Sequence, residues 1–219
     1  MDFPANVSKK HQRSLLSYLS KSIKRPQSHK QALSDPRISI PGLYYIDNFI
    51  TKEECSQLLK EIYNKSWNLS LKRRTQHYGY SYNYQSSHLD LSTQTEPIPE
   101  FMKFLFLRFE THEILKDYEP DQLIINEYTP GQGIAHHIDR ISDFEDRICS
   151  LSLGSDVIME FKKEGKKEEV VLKEKSLVIL TKDARFLWTH GIPGRKTDKI
   201  NGNLKERKTR VSLTFRKKK

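Results

Sequence analysis

Cysteine is scarce: Cys55 and Cys149 are the two in 219 residues, too few for the disulfide framework that staples small secreted domains. Long apolar runs are missing too. Nothing approaches the roughly 18 consecutive apolar residues of a membrane helix, and the opening MDFPANVSKKHQRS is charged without the apolar stretch of a secretory signal. A soluble protein of the cytosol or nucleus, without membrane contact, is the expectation. No internal repeat is evident, and the length suits one domain with its own core.

Acidic charge is in short supply as well. Twenty-eight Asp and Glu face 38 Lys and Arg, for a net charge of +10, which favours an acidic partner such as nucleic acid. Part of the excess sits in terminal runs, Lys9, Lys10, Arg13, Lys21, Lys24, Arg25 and Lys30 at the start and Lys217, Lys218 and Lys219 at the end. Such runs add sequence-independent phosphate affinity.

Residues 1–37, with Pro26 and Pro36 bracketing a Ser/Gln/His-rich stretch, read as a disordered basic tail with at most a short helix through Leu15, Leu16, Tyr18 and Leu19. Residues 38–219 read as the folded domain. One or two strands are expected around Pro41-Gly42. Thr51 with Glu54 forms a capping box that opens a helix with Leu58, Leu59 and Ile62 on one face. KRRTQHYGYSYNY, residues 72–84, alternates like one strand, and a second helix is expected over 100–110. Strands then follow at 122–128, 147–153, 157–161, 169–172, 176–180 and 210–216, separated by turn signals that include Gly191 to Gly194. Helices first and short strands afterwards predict an α+β fold: a double-stranded β-helix, or jelly roll, with the N-terminal helices packed on one sheet.

The segment NEYTPGQGIAHHIDR carries the chemistry. A strand period of two places His137 and Asp139 on one face, with His136 pointing away, and the distant His190 in LWTHGIP can complete three ligands. Two imidazoles and a carboxylate with open positions suit an Fe(II) oxygenase. They also suit catalytic zinc. The last strand, RVSLTFR, separates the two readings, because Arg210, Ser212, Thr214 and Arg216 alternate onto one face and Val211, Leu213 and Phe215 onto the other. Arginines on a buried face need anions, and a dicarboxylate such as 2-oxoglutarate offers its far carboxylate to an arginine fork. A solvent-facing basic strand is the plainer alternative.

Taken together, N-E-Y, H-I-D, W-T-H-G and R-V-S-L-T-F-R resemble the AlkB family of Fe(II)- and 2-oxoglutarate-dependent dioxygenases, over roughly residues 38 to 216. The resemblance implies that His137, Asp139 and His190 bind Fe(II), and that Asn126, Tyr128, Arg210, Ser212 and Arg216 bind 2-oxoglutarate. Ser212 stands where the bacterial founder of the family has Asn. O2 is then the second co-substrate. The chemistry implied converts 2-oxoglutarate to succinate and hydroxylates a C–H bond; on an N-methyl group the product loses formaldehyde, which is demethylation.

PGQGI with H-I-D, FEDRICSLSLGSDVIMEFK, RFLWTHGI and HYGYSYNY look most like the branch that hydroxylates a wobble-uridine side chain in tRNA. A modified base in RNA is therefore the expected substrate, favoured over DNA. The chain has no room for the RNA-recognition and methyltransferase modules of the animal proteins of that branch, so a separate partner of either kind is expected, on an otherwise monomeric enzyme. A substrate lid is placed at residues 72–84, with Lys72, Arg73 and Arg74 for phosphates and His77, Tyr78, Tyr80, Tyr82 and Tyr84 for stacking. Ordinary strand packing is the competing account of those tyrosines, and Trp188 and Phe186 read as core. Asp143, Glu145 and Asp146 read as a solvated turn. The same chemistry on a protein or small molecule, or a nucleic-acid-binding module without turnover, are the alternative functions.

Overall fold

The computed structural model describes residues 39–83 and 88–219, and the side chains of these except 81–94. The basic tail at 1–37 and Tyr84 lie outside the described residues, as does the side chain of Tyr82.

Two antiparallel sheets face each other. The larger runs β1 (Leu43–Ile46), β10 (Leu177–Leu180), β7 (Phe144–Leu153), β14 (Arg210–Lys218), β5 (Gln122–Tyr128), β2 (Thr75–Tyr78). The smaller runs β6 (Ile134–His137), β11 (Thr189–Ile192), β8 (Val157–Lys163), β9 (Lys166–Leu172). Consecutive strands repeatedly fall in different sheets, which is the crossing pattern of a jelly roll.

The alternation read in β14 divides the molecule into two cores. Val211, Leu213 and Phe215 join Leu123 and Ile125 on the outer face of the large sheet. There they pack against α1 (Lys52–Tyr63), which presents Cys55, Leu58 and Ile62, and α2 (Lys103–Phe109), which presents Phe104, Leu105 and Phe109. The rings of Phe109 and Phe215 meet edge to face at 5.5 Å. Thr51 and Glu54 form the reciprocal cap of α1. The second core lies between the sheets, with Ile148, Val157, Met159, Phe161, Leu172, Val178, Leu180 and Ile192. Both cysteines are buried and free, and no described helix is long and apolar enough to cross a membrane.

Several boundaries differ from the sequence reading. The expected strand over 72–84 is two strands, β2 and β3 (Tyr80–Asn83), because Gly79 takes φ +84° and a Cβ there would meet the Asp121 carbonyl oxygen at 1.8 Å. β3 turns off the large sheet and pairs with β4 (His88–Gln94). FEDRI is not a solvated turn but the start of β7, with Phe144 buried. The Gly191 turn signal sits in strand β11, and a short helix, α3 (Lys182–Phe186), was not anticipated.

Nor was the hairpin of β12 (Thr197–Ile200) and β13 (Asn203–Glu206), which is tied down by a buried carboxylate. Asp198 accepts from Arg207 at 2.6 and 2.8 Å, from Arg195 at 2.7 Å and from the Ile158 N–H at 3.2 Å. Burial would raise the Asp198 carboxyl, but Arg207, Arg195 and that N–H together hold it below its ordinary value. Its contribution to stability is therefore complete above the ordinary carboxylate value near 4 and is lost as pH falls through the lowered one. Asp198→Ala strands the Arg207 guanidinium and is expected to cost about 3–5 kcal/mol at pH 7. In urea titrations of both proteins, that difference should shrink below about pH 4.

Candidate active site

Between the sheets, three side chains converge from different elements. His137 ends β6, Asp139 follows two residues later, and His190 lies on β11 directly opposite His137. One ligand atom from each lies within 4.8 Å of the others. The His137 and His190 rings are 4.5 Å apart, and His190 Nε2 stands 3.6 Å from Asp139 Oδ2. His136 turns away to Glu160, 3.4 Å off, as strand alternation requires.

The protonation states suit a metal. Burial would raise the Asp139 carboxyl, but Arg216, with His190, His137 and Arg185, overrides it and holds the group well below the usual carboxylate range. Burial drives His190 down to about 3, so its imidazole is neutral at pH 7. His137 Nδ1 lies 2.9 Å from the Ala135 carbonyl, which can only accept. In the neutral ring that contact selects the Nδ1–H tautomer, with the lone pair on Nε2.

A cavity of about 370 Å³ opens on this centre, lined among others by Arg73, Asn126, His137, Asp139, Arg140 and Arg216. Further along β14, Arg210 is 3% exposed and lines a small separate cleft with Tyr128, Ile192 and Arg207. It donates to Ser152 Oγ at 2.8 Å and lies over the Tyr128 ring at 5.7 Å, while its Nε has no hydrogen-bond partner among the described residues. Burial pushes the Arg210 guanidinium down to about 10, still charged at pH 7. A buried cation that meets only a hydroxyl and a ring lacks its counter-ion, and a carboxylate would supply one. Ser212 Oγ is 3.0 Å from Ser150 Oγ, on the same inward face. The donor set and the orphaned guanidinium fit iron and 2-oxoglutarate.

Arg216, expected to bind the co-substrate, lines the cavity and also holds Asp139 Oδ1 at 2.7 Å and Gln122 Oε1 at 3.2 Å. Of the expected lid, Arg73 faces the cavity and donates to Asn126 Oδ1 at 2.9 Å. His77 shares that face, pushed down to about 4 by burial and by Arg216 and Arg73.

The alternate residues go the other way. Arg74 pairs with Glu127 at 2.6 Å and lies over Trp67, and Tyr78 is buried in the helix-side core, donating to Gln76. Arg74 and Tyr78 therefore do not meet a substrate in this cavity, because β2 turns them to the opposite face of the sheet. Tyr80 packs its ring under Lys218 Nζ at 4.9 Å. Sequence reasoning missed Ser150, Ser152 and Arg185. The serines had a readable signal, polar residues two apart in an apolar strand, and Arg185 had a weaker one, a single charge in the apolar run ARFLW.

Residues 42–216 match the family described as the 2OG-Fe(II) oxygenase superfamily. The chain belongs to that superfamily. An uncharacterized protein of Acanthamoeba polyphaga mimivirus is 39% identical to this oxygenase over 181 residues, 81% of the chain and 85% of the viral protein. The Macaca fascicularis protein named tRNA (carboxymethyluridine(34)-5-O)-methyltransferase ALKBH8 is 37% identical over 83% of the chain but only 31% of its own length. The oxygenase thus spans about a third of that relative. A solved structure, that of OsALKBH1, superposes with a TM-score of 0.62 at 18% identity, covering 81% of this chain and 97% of the other. The chemistry of the superfamily uses Fe(II), 2-oxoglutarate and O2, and the relatives of this oxygenase include proteins named as AlkB homologues.

Proposed function

We propose that the protein oxidises a modified base in RNA, with the side chain of a tRNA wobble uridine as the preferred target and oxidative N-demethylation as the second. The observation that carries the oxygenase reading is the His137–Asp139–His190 cluster, and the uncompensated Arg210, on the same face of the large sheet as Asn126 of the cavity wall, supports it. The tRNA-modifying name of a 37% identical relative supports the substrate class, as does the +10 charge.

His137, Asp139 and His190 would hold the iron. Arg210 takes the far carboxylate of 2-oxoglutarate, with Tyr128, Asn126 and Ser212 on the same inward face. With Fe(II), 2-oxoglutarate and O2 bound, the site supplies oxygen insertion into a C–H bond, coupled to release of succinate and CO2. Arg216 occupies Asp139 Oδ1 and so directs Oδ2 toward the centre. Arg73 and Arg140 line the approach, where they attract an anionic polymer.

The test is to incubate the purified protein with Fe(II), ascorbate and 2-oxoglutarate on total tRNA and compare nucleosides by mass. Gain of one oxygen on a wobble uridine is expected, and loss of a methyl group would shift the assignment to demethylation. Succinate without any nucleoside change would overturn the RNA reading and point to a protein or small-molecule substrate.

A further inference from the structure

We propose that Arg185 is a positioning residue of the metal centre, its guanidinium fixing the backbone that presents Asp139. Arg185 is 1% exposed, on α3. It donates from Nη1 to the Asp139 carbonyl at 2.6 Å, from Nη2 to the Arg140 carbonyl at 2.9 Å and from Nε to the Glu145 carbonyl at 3.3 Å. All three acceptors belong to the stretch that leaves β6 and enters β7. That stretch also carries Ile138 and Arg140 of the cavity wall.

Among the described residues this nearly fully buried guanidinium is hydrogen-bonded only to neutral carbonyls, a costly way to fill space that Met or Leu would fill at less cost. What the charge achieves is geometric, since a planar fork with five donors can hold three carbonyls in one arrangement, as a point-like ammonium cannot. The base of the fork is itself fixed, with the Ala184 N–H bonded to the Pro41 carbonyl at 2.9 Å and the Arg185 N–H to the Thr181 carbonyl at 3.1 Å. Two arginines thus divide Asp139 between them. Arg185 takes its backbone and Arg216 takes Oδ1, and together they leave Oδ2 facing His190.

The inference rests on the reading that His137, Asp139 and His190 bind metal, and its test keeps the two apart. Equilibrium binding of Mn(II) is measured by the electron paramagnetic resonance of the free ion, with thermal midpoints alongside. The proteins are the wild type, Arg185→Met, Arg185→Lys and Arg108→Met, the last removing an arginine that clamps Glu54 and the Phe49 carbonyl on the helix side.

Arg185→Met is expected to weaken Mn(II) binding by about 10- to 100-fold, with Arg185→Lys intermediate. Arg108→Met should bind Mn(II) like the wild type while its midpoint falls. The inference is overturned if Arg185→Met binds within about twofold of wild type, or if Arg108→Met loses as much as it does. Should Arg185→Met fail to fold, the comparison of Arg185→Lys with Arg108→Met decides by the same criterion. A wild type that does not bind Mn(II) overturns the ligand assignment, and this inference with it.

Discussion

Asp139→Ala is expected to take 2-oxoglutarate turnover to background, a larger loss than the roughly 10- to 100-fold that removing a neighbour of a metal ligand costs. Asp139 is the anionic member of the three ligands and the partner of Arg216, both nearly buried, so the same change breaks an ion pair. Breaking a buried pair costs about 3–5 kcal/mol, and the thermal midpoint should fall with the activity. His137→Ala separates the two effects. Among the described residues the hydrogen bond His137 makes is to the Ala135 carbonyl two positions back, so its loss should abolish turnover and leave the midpoint near that of the wild type. Succinate release, assayed beside thermal melts, reads both quantities. Turnover surviving in either variant would remove this cluster from the chemistry.

The parts of this site legible in the sequence are those where periodicity and burial agree. β5 spans the expected residues, and β14 begins where expected and extends two residues further; both lie in the middle of the large sheet, where neighbours on either side enforce the alternation. That alternation alone sorts the arginines of β14 from its apolar residues. His137 and Asp139 were readable from the same spacing of two, although β6 is the edge of the small sheet and ends at His137.

What escaped was decided by tertiary pairing. Thr189 to Ile192 has a turn-like sequence around Gly191, yet it is a strand because β6 and β8 offer partners on both sides. The glycine there is close to the His136 backbone, so the turn signal was in fact a close-packing signal. KRRTQHYGYSYNY gave a correct alternation and an uninformative assignment of faces. One strand through Gly79 would have put Tyr78, Tyr80, Tyr82 and Tyr84 on one face, opposite His77, whereas the strand breaks at Gly79 and Tyr78 packs on the helix side with Arg74 and Gln76. Arg185 was hidden because the carbonyls it holds, at Asp139, Arg140 and Glu145, are 40 or more residues away along the chain.

Arg210→Met should move stability and co-substrate binding in opposite directions. Arg210 is buried and charged, with one hydroxyl bond and an unpartnered Nε. Replacing such a group by an apolar side chain of similar length is neutral or stabilising by about 1–4 kcal/mol. The protein without co-substrate should therefore melt at or above the wild-type temperature. Adding 2-oxoglutarate with Mn(II) should then raise the wild-type midpoint, since a ligand at about 100 times its Kd contributes about 2.7 kcal/mol. The variant should show no such rise.

Its KM for 2-oxoglutarate should increase by the equivalent of about 2–5 kcal/mol, the cost of truncating one partner of a buried charge pair, or roughly 30- to 5,000-fold. Arg210→Lys keeps the charge without the fork and should recover only part of that affinity. A variant that melts well below the wild type, with its 2-oxoglutarate response intact, would show that Arg210 serves the fold and that the far carboxylate binds elsewhere.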